Sequence, residues 1–315
     1  MAKPKFGVFL PFYAFQAKDP KEYYNQIKAI VLECEKSGYD SVWLDDHLMY
    51  NNWPILESWT VLSALSSLTN KIRLGTMVSC NQHRNPALLA KAAATLDVIS
   101  NGRLEFGIGA GVQEAEHVAY GFDFPKPSVR IERLGEALEV ITRLWTQEKA
   151  GYNGKHYTLK DAVCEPKPLQ KPHPPITVGG SGEKLLKVTA QYADRFDWGF
   201  LPSIEAYKHK LEVLEKHCKS VGRNFSEIER SCWPSGQVLI AQNETALAEK
   251  ISKTKPANAS VQEFKEKALA GTPEVCRARL QVYVDLGVTY FMLFFADLPS
   301  VDGLRLFAES VVRKF

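Results

Sequence analysis

The chain lacks the features that most quickly tie a sequence to a partner. There is no basic block: 39 lysines and arginines face 36 acidic residues, leaving +3 over 315 residues, which argues against nucleic acid. The six cysteines (Cys34, Cys80, Cys164, Cys218, Cys232, Cys276) are scattered without a C-x-x-C pair. That argues against a zinc site or a disulfide framework and for a reducing, cytoplasmic compartment. No apolar run approaches the ~18 residues that span a bilayer, so no membrane partner is expected. The apolar patch Phe6–Phe15 is broken by Gly7 and Pro11 with no small-residue cleavage site after it, and reads as a first strand rather than a signal peptide. The Walker A spacing is missing, so nucleotide hydrolysis is not implied.

What is present is alternation. Strand-like segments at Lys5–Ala14, Ser41–His47, Ile72–Cys80, Arg103–Gly111, Ile176–Gly179, Phe196–Leu201, Gln237–Ala241 and Thr289–Ala296 are each followed by a helical pattern. Continuous apolar runs such as Tyr290–Phe295 suit parallel strands covered on both faces. Eight repeats predict an α/β fold closed into a (β/α)8 TIM barrel, one domain over residues 1–315. An open doubly wound sheet is the competing architecture. Its G-x-G-x-x-G after the first strand is absent. Residues 150–174 break the rhythm with a short hairpin and a proline-rich segment, and predict an insertion; 243–271 reads as a polar, Lys-rich stretch.

The most informative stretch is Pro175–Lys184, where a β-branched run ends in three glycines within four residues before a helical pattern. Glycines let main-chain N–H groups crowd an anion, and a helix N-terminus adds partial positive charge. The segment therefore predicts a phosphate-holding loop, against the alternative of an ordinary glycine-rich turn. In a barrel the active site lies at the carboxyl ends of the strands. Those ends carry Phe12 and Tyr13, then Asp45-Asp46-His47, then Met77 to Asn81 with His83 and Arg84 beyond, then Gly109-Ala110-Gly111, then Gly179 to Gly182, then Trp198 to Pro202. His47 is the sharpest candidate, as a proton-transfer group or as a structural histidine satisfied by Asp46. Gly107-Ile-Gly-Ala-Gly111 removes side chains where a planar ring approaches, or marks a tight bend. A metal set drawn from His47, His83 and the aspartates has no ligand-spacing signature, and no metal is expected. Glycine-lined strand ends beside aromatics suit a flat cofactor with a phosphate tail, of the flavin type.

Several motifs, in order along nearly the whole chain, resemble the luciferase-like monooxygenase superfamily. They are Trp43-Leu-Asp-Asp-His47, Arg84-Asn-Pro-Ala-Leu-Leu-Ala-Lys91, Thr95 to Leu104, Gly107 to Gly111 and Pro174 to Gly182. Within it the chain is most similar to the branch using the deazaflavin coenzyme F420. The resemblance implies a homodimeric TIM barrel with Asp46 and His47 meeting the cofactor or substrate. It also implies a strand-three bulge at Met77 and Val78 backing the ring, often through a non-prolyl cis peptide. Ala110 and Gly111 are then strand-four contacts, and Gly179, Gly180, Ser181 and Gly182 the phosphate loop. Some deazaflavin sugar-phosphate dehydrogenases of the family carry a glutamate directly after the strand-four glycine. Here that position is Val112, which counts against a sugar phosphate.

The expected activity is an F420-dependent oxidoreductase passing a hydride between deazaflavin C5 and a small organic substrate, with His47 handling the proton. The alternatives are an FMN-dependent monooxygenase and a non-catalytic flavin-binding protein. Phe12, Tyr13, Trp53 with its 48–55 loop, and the 150–174 insertion are expected to shape a hydrophobic substrate pocket.

Overall fold

A computed structural model describes residues 3–15, 19–201, 203–256 and 258–315; Pro202 lies outside the described residues. The chain runs β1 (Lys5–Leu10), α1 (Pro20–Ser37), β2 (Ser41–Leu44), α2 (Ser58–Ser66), β3 (Arg73–Thr76), β4 (Ser79–Cys80), α3 (Pro86–Ile99), β5 (Leu104–Gly109), α4 (Glu114–Ala119) and α5 (Pro127–Thr146). A hairpin of β6 (Ala150–Asn153) and β7 (Thr158–Ala162) follows, then β8 (Ile176–Gly179), α6 (Glu183–Tyr192), β9 (Arg195–Asp197), α7 (Ile204–Val221) and β10 (Ser231–Cys232). The last part comprises β11 (Gln237–Ile240), α8 (Glu244–Thr254), α9 (Val261–Lys267), β12 (Ala268–Gly271), α10 (Pro273–Asp285), β13 (Tyr290–Leu293) and α11 (Asp302–Ser310). Local signals set many boundaries. Asp19 caps α1 ahead of Pro20, and Gly38 ends that helix in the left-handed region at φ 87°. Asn85 caps α3 ahead of Pro86.

Parallel pairing runs β10-β13-β1-β2-β3-β5-β8-β9, and the bridges Arg195–Glu229 and Phe200–Trp233 close the last strand on the first. The result is a (β/α)8 TIM barrel. Its strands are short and almost wholly buried on both faces, which is why they read as continuous apolar runs. Inside, Trp43 is fully buried; a Cβ on Gly75 would stand 2.7 Å from its ring, so that strand has no side chain there. Below the mouth lies a charged layer. Glu105 is held between Arg73 and Arg195, and Arg195 lies 3.8 Å over the Tyr290 ring. Burial pushes the Glu105 carboxyl up, but the two guanidiniums outweigh it and hold it below the usual range.

The hairpin confirms an insertion within 150–174. Strand seven differs from the expectation. The apolar run at 237–241 is not in the barrel; the seventh stave is β10, preceded and followed by polar or aromatic residues. β11 instead pairs with β12 as a separate parallel ribbon, joined to the barrel by the Val238–Phe295 bridge. The run is apolar because it has its own small core, Leu239, Ala241, Leu247, Ile251, Phe264, Ala268 and Ala270. The stretch read as polar and Lys-rich is thus a second insertion, with α8, α9 and β12.

Strand three is split. β3 pairs with β5 from Leu74 opposite Leu104, while β4 pairs from Ser79 opposite Ile108, so one extra residue has entered strand three. The Met77–Val78 peptide between the halves is cis, in the register anticipated. Ser79 fixes the restart, its Oγ accepting from Trp59 Nε1 at 3.0 Å and lying 2.9 Å from Thr76 Oγ1.

Candidate active site

A cavity of about 280 Å³ opens at the carboxyl ends of the strands. Asp46, His47, Met77, Val78, Ala110, Gly111, Gly179 and Gly180, drawn from four separate strand ends, all line it. The bulge side chain Val78 explains much of the glycine pattern. A Cβ on Gly109 would lie 2.7 Å from Val78 Cγ2, and one on Gly179 2.8 Å from both Val78 methyls. Those two glycines therefore admit Val78 between the strands, and Val78 in turn forms the apolar wall.

His47 is anchored, though not by Asp46. Its Nδ1 lies 3.0 Å from Glu116 Oε1, and Glu116 Oε2 accepts the Leu48 N–H at 3.0 Å. Burial works against a charged imidazole, but the Glu116 hydrogen bond and the nearby carboxylates outweigh it and raise the His47 pKa above its ordinary value. Among the described residues His47 Nε2 has no partner, and the ring is on the cavity wall. Glu116 sits on α4, a six-residue helix absent from the sequence reading. The signal available was the Glu114-Ala-Glu116-His117 run directly beyond a strand end.

Asp46 has a different task. Arg84 grips it in a fork, Nη1 to Oδ2 at 2.6 Å and Nη2 to Oδ1 at 2.9 Å. Ser58 Oγ and the Cys80 N–H fill the remaining positions at 2.7 and 2.9 Å. Burial raises the Asp46 pKa, yet Arg84 prevails and the carboxyl is held below the usual range. With both oxygens saturated, Asp46 ties β2 to the loop after β4. Asp45 points elsewhere, accepting the Phe12 N–H at 2.8 Å, and burial lifts its pKa to about 6. Asp197, at the end of β9, also lines the cavity and accepts from Trp233 Nε1 at 2.6 Å; burial raises its carboxyl pKa against that donor.

A larger cavity of about 1070 Å³ adjoins the first, sharing Phe9 and Trp233 with it. Tyr13, Phe200, Phe264, Phe294, Glu266 and Lys267 are among its walls. Tyr13 is thus where a substrate-pocket residue was expected. Phe12 is not: it is 0% exposed, packed in the core beside Tyr23, because the chain turns into a short 3-10 helix after Pro11. Trp53 meets Tyr13 edge-on at 6.3 Å and lines neither cavity. Nor does the 150–174 insertion; its hairpin packs on α5, while the second insertion supplies the wall expected of it.

The glycine-rich loop shares the rim with Ala110 and His47 through Gly179 and Gly180. Gly180 adopts φ 118° and spends its N–H on the Asp197 carbonyl at 2.7 Å. Ser181 and Gly182 lie beyond the cavity wall, at the start of α6; Gly182 is exposed and a Cβ there would meet nothing within 4 Å. Lys210 Nζ donates to the Ser181 carbonyl at 2.7 Å.

These features define a TIM-barrel protein with an apolar slot and a carboxylate-anchored histidine at its strand ends. The chain belongs to the luciferase-like monooxygenase family, whose model matches residues 4–267. It is 26% identical over 313 residues to an F420-dependent glucose-6-phosphate dehydrogenase of Microbacterium testaceum, covering 91% of this chain and 92% of that one. Among solved structures it is similar to an F420-dependent secondary alcohol dehydrogenase bound to an F420–acetone adduct (TM-score 0.79, 23% identity, 98% of each chain). It is likewise similar to the coenzyme F420-dependent tetrahydromethanopterin reductase of Methanopyrus kandleri (TM-score 0.78, 21% identity, 100% of each chain). At these identities the two structures speak for the fold. Among the described residues, no helix is long and apolar enough to cross a membrane.

Proposed function

We propose that the chain is an F420-dependent oxidoreductase acting on a small, largely apolar organic substrate. The observation that carries this reading is a single slot walled by Val78, Ala110 and two bare strand ends, with His47 Nε2 free beside it. The residues fit the cofactor's shape: an apolar wall for a flat ring, and a glycine-rich helix start for its phosphate. When bound, F420 supplies a deazaflavin C5 that takes or gives a hydride.

The protein's own residues do the rest. Met77, Val78 and Ala110 would back the ring; with the Gly180 N–H spent on Asp197, Gly179 and Gly180 would admit the anionic tail and the helix start at Ser181 and Gly182 would hold it. His47 accepts the proton of a substrate hydroxyl at Nε2, or returns it to a carbonyl oxygen, while Glu116 keeps Nδ1 occupied and the ring oriented. The adjoining aromatic cavity orients the substrate and excludes water.

A sugar phosphate is disfavoured. Val112 stands where the relevant dehydrogenases carry a glutamate, and Lys267 shares the larger cavity with Glu263 and Glu266. Six buried, unpaired cysteines fit a reducing cytoplasm; the homodimer rests on resemblance and is checked by sedimentation.

Titrating the purified chain with F420 and with FMN, followed by fluorescence, tests the cofactor. Saturable F420 binding, then alcohol- or carbonyl-dependent change in the cofactor spectrum that is lost in His47→Ala, supports the reading. Tighter FMN binding turns it toward a flavin monooxygenase, and binding without turnover toward a non-catalytic flavin-binding protein.

A further inference from the structure

Behind the cavity wall three metal-binding side chains converge. Cys80 Sγ, a His83 ring nitrogen and a His117 ring nitrogen all lie within 4.8 Å of one another. Cys80 Sγ stands 3.4 Å from His117 Nε2. On the far side of that ring, Nδ1 lies 2.6 Å from the Gln113 carbonyl oxygen, which can only accept. His117 therefore carries its hydrogen on Nδ1 and aims the Nε2 lone pair at Cys80. A main-chain carbonyl behind an imidazole is the arrangement that orients a histidine toward a metal.

A simple thiol-to-imidazole hydrogen bond accounts for Cys80 and His117 but leaves His83 unexplained. The His83 side chain is 1% exposed, and among the described residues neither ring nitrogen has a hydrogen-bond partner; Glu116 Oε1, already bonded to His47, lies beyond hydrogen-bond reach of its Nε2 at 3.8 Å. A buried imidazole with both nitrogens unsatisfied is disfavoured, so its placement 4.9 Å from the His117 ring calls for a ligand. Phe122 and Phe124 pack against the histidines at 5.3 and 4.8 Å, giving the cluster an apolar shell.

We propose that Cys80, His83 and His117 bind one divalent cation of the zinc class. With a metal–sulfur bond of about 2.3 Å and metal–nitrogen bonds of about 2.0–2.1 Å, tetrahedral geometry puts sulfur and nitrogen about 3.5 Å apart. The Cys80–His117 pair is already near that spacing at 3.4 Å, and the His83 nitrogen, within 4.8 Å of both, needs to close in by at most about 1.5 Å. Water takes the fourth position. On binding, the Cys80 thiol gives its proton to solvent as the metal–sulfur bond forms, and the neutral imidazoles donate lone pairs, so one proton is released per ion.

The ion ties the loop after β4 to α4. Because α4 carries Glu116, and Glu116 holds His47, the metal positions the histidine without touching the reacting atoms. This inference rests on the coordination geometry and stands independently of the F420 reading.

The test uses the untagged full chain, freed of metal with a chelator and titrated with Co²⁺. The expected result is a thiolate-to-cobalt charge-transfer band with tetrahedral visible absorption, saturating at one equivalent and displaced by Zn²⁺. Zn²⁺ also raises the melting temperature. Cys80→Ser and His83→Gln each weaken binding by roughly 100-fold or more while melting like the parent in chelator. If Cys80→Ser does not fold, His117→Gln takes its place. A parent with no charge-transfer band, or a band that survives undiminished in His83→Gln, overturns the proposal.

Discussion

His47 Nδ1 and Glu116 Oε1 lie 3.0 Å apart across 69 residues of sequence, joining the end of strand two to a helix that follows strand four. The pairing commits Nδ1 and leaves Nε2 for the substrate. Glu116→Gln keeps the shape and removes the charge, so kcat falls by roughly 10–100-fold with the cofactor Kd unchanged. Burial disfavours a charged His47, and Glu116 is the main group opposing it. Without that carboxylate the His47 pKa drops, and its limb of the pH–rate profile moves to lower pH. An unmoved limb means that Glu116 is structural only.

Val78 and the glycines around it form a fitted set. Gly179→Ala forces a Cβ to within 2.8 Å of both Val78 methyls. Overpacking of this kind costs about 1–3 kcal/mol, and the displaced wall weakens cofactor binding. Val78→Ala in the same chain removes the clash, so the double variant recovers stability relative to Gly179→Ala. Melting curves of the four proteins give the coupling, and strict additivity would refute the contact.

Gly182 separates anion binding from folding. It is the N-cap of α6, at φ −70°, with open space where a side chain would go. Asp is a favoured N-cap, so Gly182→Asp leaves the melting temperature equal or slightly higher. Its carboxylate repels a phosphate at the helix start, and affinity for F420 is expected to fall about tenfold or more, roughly 1.4 kcal/mol. Retained affinity, measured by the same fluorescence titration, moves the phosphate elsewhere.

Asp45 gives stability a pH dependence of known sign. Burial raises its folded pKa to about 6 from an ordinary 3.8, against the Phe12 N–H that favours the charged form. A carboxyl raised this way favours folding most when protonated, below its unfolded pKa. That contribution declines as pH climbs and is gone above about 6. The shift corresponds to about 3 kcal/mol. Asp45→Asn removes the titration, so its stability relative to the parent rises between pH 4 and pH 7, read by urea denaturation at each pH. A constant difference across that range would falsify the assignment.

Glu105 sits between Arg73 and Arg195 with its side chain 3% exposed. Glu105→Leu leaves the partly exposed Arg73 without a carboxylate and the buried Arg195 with Glu229 alone, and urea denaturation is expected to show a destabilisation of about 3 kcal/mol, the low end for a broken buried pair. Because the layer lies below the mouth, the remaining folded enzyme keeps its cofactor affinity.

Much of the barrel was legible because its information is local. Seven of the eight expected strand positions hold a barrel stave, since β-branched apolar runs between capped helices carry their own periodicity. The eighth misled for the same reason. Gln237–Ala241 is the more strand-like segment, yet it packs on its own small core, while Ser231–Cys232 is held in the barrel by neighbours on both sides. The glycines were legible as bare strand ends; their main occupant, Val78, was not, because the steric conflict spans three strands. Phe12 looked like a pocket residue from its place at a strand end, and only the 3-10 turn after Pro11 sends it into the core.

By itself the sequence determined the repeating strand and helix units, the family they belong to, and which strand ends carry glycine, histidine and acid. These follow from patterns of a few residues that neighbours in the chain enforce. Closure of the barrel decided which of those residues meet: Glu116 rather than Asp46 at His47, Arg84 on Asp46, and Cys80 with His83 and His117 in one buried cluster. Apart from Cys80 and His83, which are neighbours in the chain, these pairings join residues 34 to 69 positions apart, and no local propensity encodes a contact that exists only once the barrel has closed.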